Sequence, residues 1–152
     1  IQNPPSLYEM VKICEDRNAN VIAIRDVDKT IIHKYGVISS DNYLNELINV
    51  TDLVEKPKKE DAPSNLAVTG RYVLSKKIFK HLENQQTGFG GEIQLTDAIK
   101  KLLIEQKLIG YKFPGKLYDC GSKIGFLQAT VDLACEHKEL GDEFTQWLKN
   151  KF

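Results

Sequence analysis

A long hydrophobic run, a pair of close cysteines and an excess of either charge are all missing from this sequence, and each absence removes a class of protein. No apolar stretch approaches the roughly 18 residues of a spanning helix, and the first residues lack the basic-then-apolar pattern of an export signal. Neither a membrane-bound nor a secreted protein is therefore expected. Lys+Arg and Asp+Glu both number 21, so the formal net charge is zero. Nucleic acid and anionic membranes are not expected partners, and an anionic ligand would have to be held by a local site. The cysteines Cys14, Cys120 and Cys135 form no C-x-x-C pair and have no histidine at metal-ligand spacing. That excludes a disulfide scaffold and fits a reducing, cytoplasmic setting. An initiator methionine is also lacking, since the chain begins Ile1-Gln2-Asn3-Pro4-Pro5. Repeats and low-complexity tracts are absent. With 41% hydrophobic residues in 152, the chain can bury roughly 70% of the surface its unfolded form exposes, enough for a core without metal or disulfides.

The apolar pattern predicts alternating helices and strands. Pro4-Pro5-Ser6 followed by Leu7, Met10, Val11 and Cys14 reads as a helix of about three turns ending near Arg17. Val21-Ile22-Ala23-Ile24 is a short continuous apolar run, the pattern of a strand buried on both faces. Further β-type runs are Tyr35–Ile38 and Leu47–Val50, with a polar turn from Ser39 to Asn45 between them. Glu55 to Asn65 is a Pro-, Lys- and Asp-rich loop, and Leu66 to Leu74 is a strand. Ser75 is placed to cap a helix through Leu82. A helix spans about Gln94 to Gln106 with Leu95, Ile99, Leu102 and Leu103 on one face. Two short strands, Leu108–Phe113 and Gly115–Asp119, are expected around a Pro114-Gly115 turn. An amphipathic helix from near Ser122 carries Ile124, Leu127, Val131 and Leu133, and Phe144, Trp147 and Leu148 mark a last helix.

Four segments can carry chemistry. Val54-Glu55-Lys56-Pro57 ends an apolar run with an acid and a base. At the end of a parallel strand it would offer a carboxylate to hydroxyls and an ammonium to phosphate; by itself it is a weak signal and suits a solvated strand end better. Thr69-Gly70 sets a glycine inside a strand, as Tyr35-Gly36 does on another, where missing bulk often marks close approach of a ligand or backbone. Gly90-Gly91-Glu92 precedes Thr96-Asp97 at a helix start, where backbone donors are free; Glu92 and Asp97 suit helix capping as well. Tyr118-Asp119-Cys120-Gly121-Ser122 places an acid where a strand gives way to a helix, a location suited to a hard divalent cation and also to an N-terminal cap.

Taken in order, Tyr35-Gly36-Val37, Val54-Glu55-Lys56-Pro57, Pro63-Ser64-Asn65-Leu66-Ala67, Thr69-Gly70-Arg71-Tyr72, Gly91-Glu92-Ile93-Gln94-Leu95-Thr96-Asp97-Ala98-Ile99 and Asp119-Cys120-Gly121 resemble the bacterial UTP:glucose-1-phosphate uridylyltransferases, sugar-phosphate nucleotidyltransferases. The likeness runs from the first helix to Leu140-Gly141-Asp142-Glu143-Phe144. It implies an α/β fold, Rossmann-like, with a mixed sheet flanked by helices and a helical C-terminus. It also implies Mg²⁺-dependent attack of a glucose 1-phosphate oxygen on the α-phosphorus of UTP, with release of pyrophosphate. On that resemblance Glu55 accepts hydrogen bonds from glucose hydroxyls and Lys56 pairs with the sugar phosphate. The backbone at Gly36, Thr69 and Gly70 lines the sugar pocket, Glu92 is a further substrate contact, and Asp119 helps to hold Mg²⁺.

The family's Gly-rich phosphate loop and its second metal-binding aspartate have no counterpart in residues 1–152. The expectation is thus a C-terminal portion of one nucleotidyltransferase domain, carrying the sugar-phosphate side and inactive alone, and forming a homo-oligomer. Two other readings stay open: a non-catalytic sugar-phosphate-binding or oligomerisation module, and a transferase of different base or sugar, such as a thymidylyltransferase.

Overall fold

Strand β1 (Asn20–Asp26) is buried along its first five residues, as its uninterrupted apolar run predicts for a central strand covered on both faces. The computed structural model describes residues 5–151, so Pro4 of the expected Pro/Ser start lies outside the described residues. The chain forms two compact units, one ending at Pro114 and one beginning at Gly115. The first unit holds α1 (Ser6–Arg17), β1, β2 (Gly36–Ser39), β3 (Leu47–Asn49), β4 (Asp52–Glu55), β5 (Leu66–Val73), α2 (Lys77–Glu83), α3 (Leu95–Glu105) and β6 (Leu108–Lys112). Its sheet has the order β3-β6-β1-β5-β2-β4. Only β1 and β6 run parallel; the other neighbours are antiparallel.

Alternate residues of β1 serve two faces. Ile22 and Ile24 join Ile38, Leu53, Val68, Ile78, Ala98, Ile99 and Leu102 in the main core, where each fully buried large side chain contributes on the order of 2 kcal/mol. Helix α3 supplies Ala98, Ile99 and Leu102 to this cluster and packs on α2 and β4. A smaller cluster joins Ile32, Val37 and Ala67. Helix α1 lies against β1 and β5. It buries Met10 and Ile13, whereas Leu7 and Val11 of the expected stripe are exposed. Asn18 ends α1 in the left-handed region, φ 47°, its N–H bonded to the carbonyls of Cys14 and Glu15.

Three expected features are corrected. Residues 115–119 form no strand. Lys116 Nζ and Tyr118 Oη instead donate to Asp132 Oδ2 at 3.0 and 2.6 Å, which ties the segment to a helix in place of a ladder. The hydrogen bonds from Tyr118 and then Lys116 hold the Asp132 carboxyl below its ordinary range. Ser75 does not cap α2 with its side chain. Its Oγ donates to Gln106 Oε1 at 2.7 Å, and Lys76 occupies the cap position. Finally, β4 pairs antiparallel with β2, so Glu55 and Lys56 do not follow a parallel strand.

The second unit contains α4 (Lys123–Cys135) and α5 (Gly141–Lys151). Ser122 caps α4 by accepting the N–H of Gly125. Helix α4 buries Gly125 and Ala129, whereas Ile124, Leu127, Val131 and Leu133 are exposed; its apolar stripe is therefore not its buried face. Phe144 and Trp147 of α5 stack with centroids 5.7 Å apart. Among the described residues no helix is long and apolar enough to cross a membrane.

Candidate active site

The end of β4 is where the sequence's acid and base come to rest. Glu55, its last residue, faces Gly36 across the antiparallel ladder. The Lys56 N–H donates to the Tyr35 carbonyl at 3.0 Å, which carries the pairing one step past the strand. Lys56 itself adopts φ 44°, a left-handed conformation costing an L-residue on the order of 1 kcal/mol. The chain turns sharply there into the buried Pro57.

The Glu55 carboxylate is mostly buried, its side chain 15% exposed, and it is held by a hydroxyl from α3. Thr96 Oγ1, on the second residue of α3, donates to Glu55 Oε2 at 2.5 Å. The other oxygen, Oε1, lies 4.0 Å from Lys56 Nζ. Gly36 leaves room for the pair: a Cβ at that position would stand 3.1 Å from Glu55 Oε2 and 3.3 Å from Thr96 Oγ1. Tyr72 lies close enough to respond electrically. Burial, and secondarily the Glu55 charge, hold its phenol protonated above the usual tyrosine range. The result is a fixed acceptor and an adjacent cation beside a glycine-lined surface, suited to a hydroxyl-rich compound that carries an anionic group.

Other expected residues stand differently. Three residues of β5, Thr69 to Arg71, bulge opposite the single residue Ala23 of β1, because Val68 pairs with Ile24 and Tyr72 with Ile22. Within that bulge Thr69 Oγ1 donates to the Ala23 carbonyl at 3.2 Å, so its hydroxyl holds the bulge together. Gly70 takes φ 73° and has open space where a Cβ would stand. Gly90 and Gly91 belong to a short 3-10 turn upstream of α3, and neither Glu92 nor Asp97 caps that helix, whose cap position is Gln94 with no side-chain cap bond. Glu92 is exposed and accepts the Gly88 N–H through its carbonyl at 2.8 Å.

Asp119 lies in the second unit, in a tight turn. Its Oδ1 accepts the Gly121 N–H at 3.1 Å, and its carbonyl accepts from Ser122. The second carboxylate oxygen is not needed for that turn. Among the described residues no three Asp, Glu, His or Cys side chains cluster as a metal-binding group. One exposed carboxylate fits Mg²⁺ in the manner of a cation completed by waters and substrate phosphates, and does not fit a preformed all-protein cage.

Sequence reasoning did not single out Thr96 or Tyr72 as site residues. Both stand in quoted motifs, Leu95-Thr96-Asp97 and Arg71-Tyr72, but nothing in local spacing tells that a hydroxyl 41 positions from Glu55 reaches its carboxylate.

Fold and site together define an α/β protein with a carboxylate and an ammonium side by side on the edge strand of a mixed sheet. Residues 1–136 match the family described as Nucleotidyl transferase, and the chain belongs to that family. It is similar to the UTP--glucose-1-phosphate uridylyltransferase of Bacillus subtilis, 43% identical over 150 residues, which are 97% of this chain and 51% of that protein. Among solved structures it resembles UDP-glucose pyrophosphorylase from Acinetobacter baumannii, with TM-score 0.85 and 38% identity over 96% of this chain and 50% of that one. A UTP-bound enzyme from the same organism matches with TM-score 0.81 and 40% identity over 91% and 48%. The chain spans about half the length of the curated relatives it matches.

Proposed function

We propose that these residues carry the sugar-phosphate side of a uridylyltransferase, which joins glucose 1-phosphate to the uridylyl group of UTP and releases pyrophosphate. The observation that carries the reading is the end of β4: a carboxylate fixed by Thr96 and facing Gly36, with the Lys56 ammonium next to it. Phosphoryl-type transfer needs little covalent chemistry from the protein, so catalysis rests on positioning and charge neutralisation. Glu55 accepts hydrogen bonds from sugar hydroxyls and fixes the ring. Lys56 pairs with the sugar phosphate and keeps one of its oxygens aimed at the α-phosphorus, from which pyrophosphate leaves. The missing side chain of Gly36 leaves room for the Glu55–Thr96 pair, and exposed Gly70 and Glu92 are read as further substrate contacts.

Asp119 would hold Mg²⁺, which supplies neutralisation of phosphate charge. Turnover is expected to require the nucleotide-side loop that residues 1–152 do not include. The three cysteines, all free, suit a cytoplasmic enzyme, where thiols stay reduced. The test is pyrophosphate release by the full-length gene product from UTP and glucose 1-phosphate. Release that needs both substrates and stops when a chelator removes Mg²⁺ is the expected result; no release with both substrates and Mg²⁺ present rejects the reading.

A further inference from the structure

From the bond between α3 and β4 we infer that Thr96 is a positioning residue: it holds the Glu55 carboxylate in the rotamer that receives the sugar, and so sets affinity for the sugar phosphate. The inference rests on the sugar-phosphate reading of Glu55.

Three features support it. First, the Thr96 hydroxyl does not serve its own helix. A threonine in a first helical turn commonly bonds a nearby backbone group; this one donates to a carboxylate 41 positions away. Second, the bond reaches only one of the two oxygens. With Oε2 engaged by Thr96, the carboxylate plane is set, and Oε1, on the Lys56 side, is the oxygen presented to a ligand. Third, the fit depends on a missing side chain. A Cβ on Gly36 would stand 3.1 Å from Glu55 Oε2 and 3.3 Å from Thr96 Oγ1. Residue 36 must be this small for the two groups to keep their geometry.

A glutamate has three side-chain torsions, and ordering them on binding costs affinity. A donor that fixes the carboxylate beforehand removes part of that cost. Helix α3 is also anchored to the core through Ala98, Ile99 and Leu102, so the donor is mounted on a rigid element. Thr96 thereby acts through Glu55 without touching the ligand.

The experiment compares the full-length wild-type protein with Thr96→Val, which keeps the shape and removes the donor, and Thr96→Ser, which keeps the donor. Equilibrium binding of glucose 1-phosphate and the KM values for both substrates are measured, together with the thermal midpoint. Expected for Thr96→Val is about tenfold weaker glucose 1-phosphate binding with a matching rise in its KM, the loss of one hydrogen bond to a charged group. The KM for UTP should stay unchanged, and Thr96→Ser should restore affinity to within about threefold of wild type. Wild-type affinity in Thr96→Val overturns the inference. So does an equal loss toward both substrates that follows a fallen thermal midpoint, since a merely structural role gives that pattern. Absence of glucose 1-phosphate binding by the wild-type protein instead overturns the sugar-phosphate reading, and the inference with it.

Discussion

Gly36 shows how much a single residue can decide at this site. Its conformation is ordinary strand, so its value lies in space alone: any larger residue directs a Cβ at the Glu55–Thr96 hydrogen bond. Contacts of 3.1 and 3.3 Å are tight enough that the neighbours must yield by a few tenths of an ångström. Overpacking of this kind typically costs about 1–3 kcal/mol. Gly36→Ala is expected to lower unfolding stability in urea by about 1 kcal/mol, the low end because the crowded atoms are side-chain tips, and to weaken glucose 1-phosphate binding. An alanine variant with wild-type stability and wild-type affinity would show that the space is not needed. Lys56 makes a different point. It sits in the left-handed region, φ 44°, where glycine or asparagine is the usual choice. A lysine kept in such a conformation at a strand end directs attention to its side chain, because the backbone alone would favour another residue.

Among elements, the junctions are held by one buried amide. Asn20, at the start of β1 and 4% exposed, is the only buried polar residue of the described core. Its Nδ2 donates to Gln106 Oε1 at 3.1 Å and to the Lys107 carbonyl at 3.2 Å, and its Oδ1 accepts the Ser75 N–H at 2.7 Å. Ser75 Oγ then donates to the same Gln106 oxygen. This links the turn from β5 into α2 with the turn from α3 into β6. Asn20→Ala leaves the Ser75 donor without its acceptor and should destabilise the protein by about 1–3 kcal/mol in chemical denaturation; a change under about 0.5 kcal/mol would mean that water replaces the amide freely. The same network explains what the sequence could and could not reveal. Strands β1 and β5 and helix α3 were legible because apolar periodicity records burial directly. Ser75 looked like a helix cap because capping is local, and its actual partners lie 31 and 55 positions away. The expected strand 115–119 failed for a similar reason: its tyrosine and lysine are claimed by Asp132 of α4. Of the site, Glu55, Lys56 and Gly36 could be read from motif order. Thr96 could not, since a contact between the end of a strand and a distant helix leaves no spacing signal.

At the scale of the whole molecule, zero net charge changes meaning once the site is in view. Residues 1–152, with no net charge, would not draw the proposed doubly charged sugar phosphate by an overall field. On the proposed reading, contact with that ligand falls to individual cations, and Lys56 stands next to a mostly buried carboxylate that faces Gly36. Removing that ammonium should therefore damage one substrate selectively, because the base and triphosphate of UTP would be held by other groups. The decisive measurement is steady-state kinetics of Lys56→Ala in the full-length gene product. Loss of a charge-assisted contact predicts a fall in kcat/KM for glucose 1-phosphate of about 10- to 100-fold, with the KM for UTP unchanged. Wild-type kcat/KM for glucose 1-phosphate in that variant would contradict the assignment of the β4 end as the sugar-phosphate site.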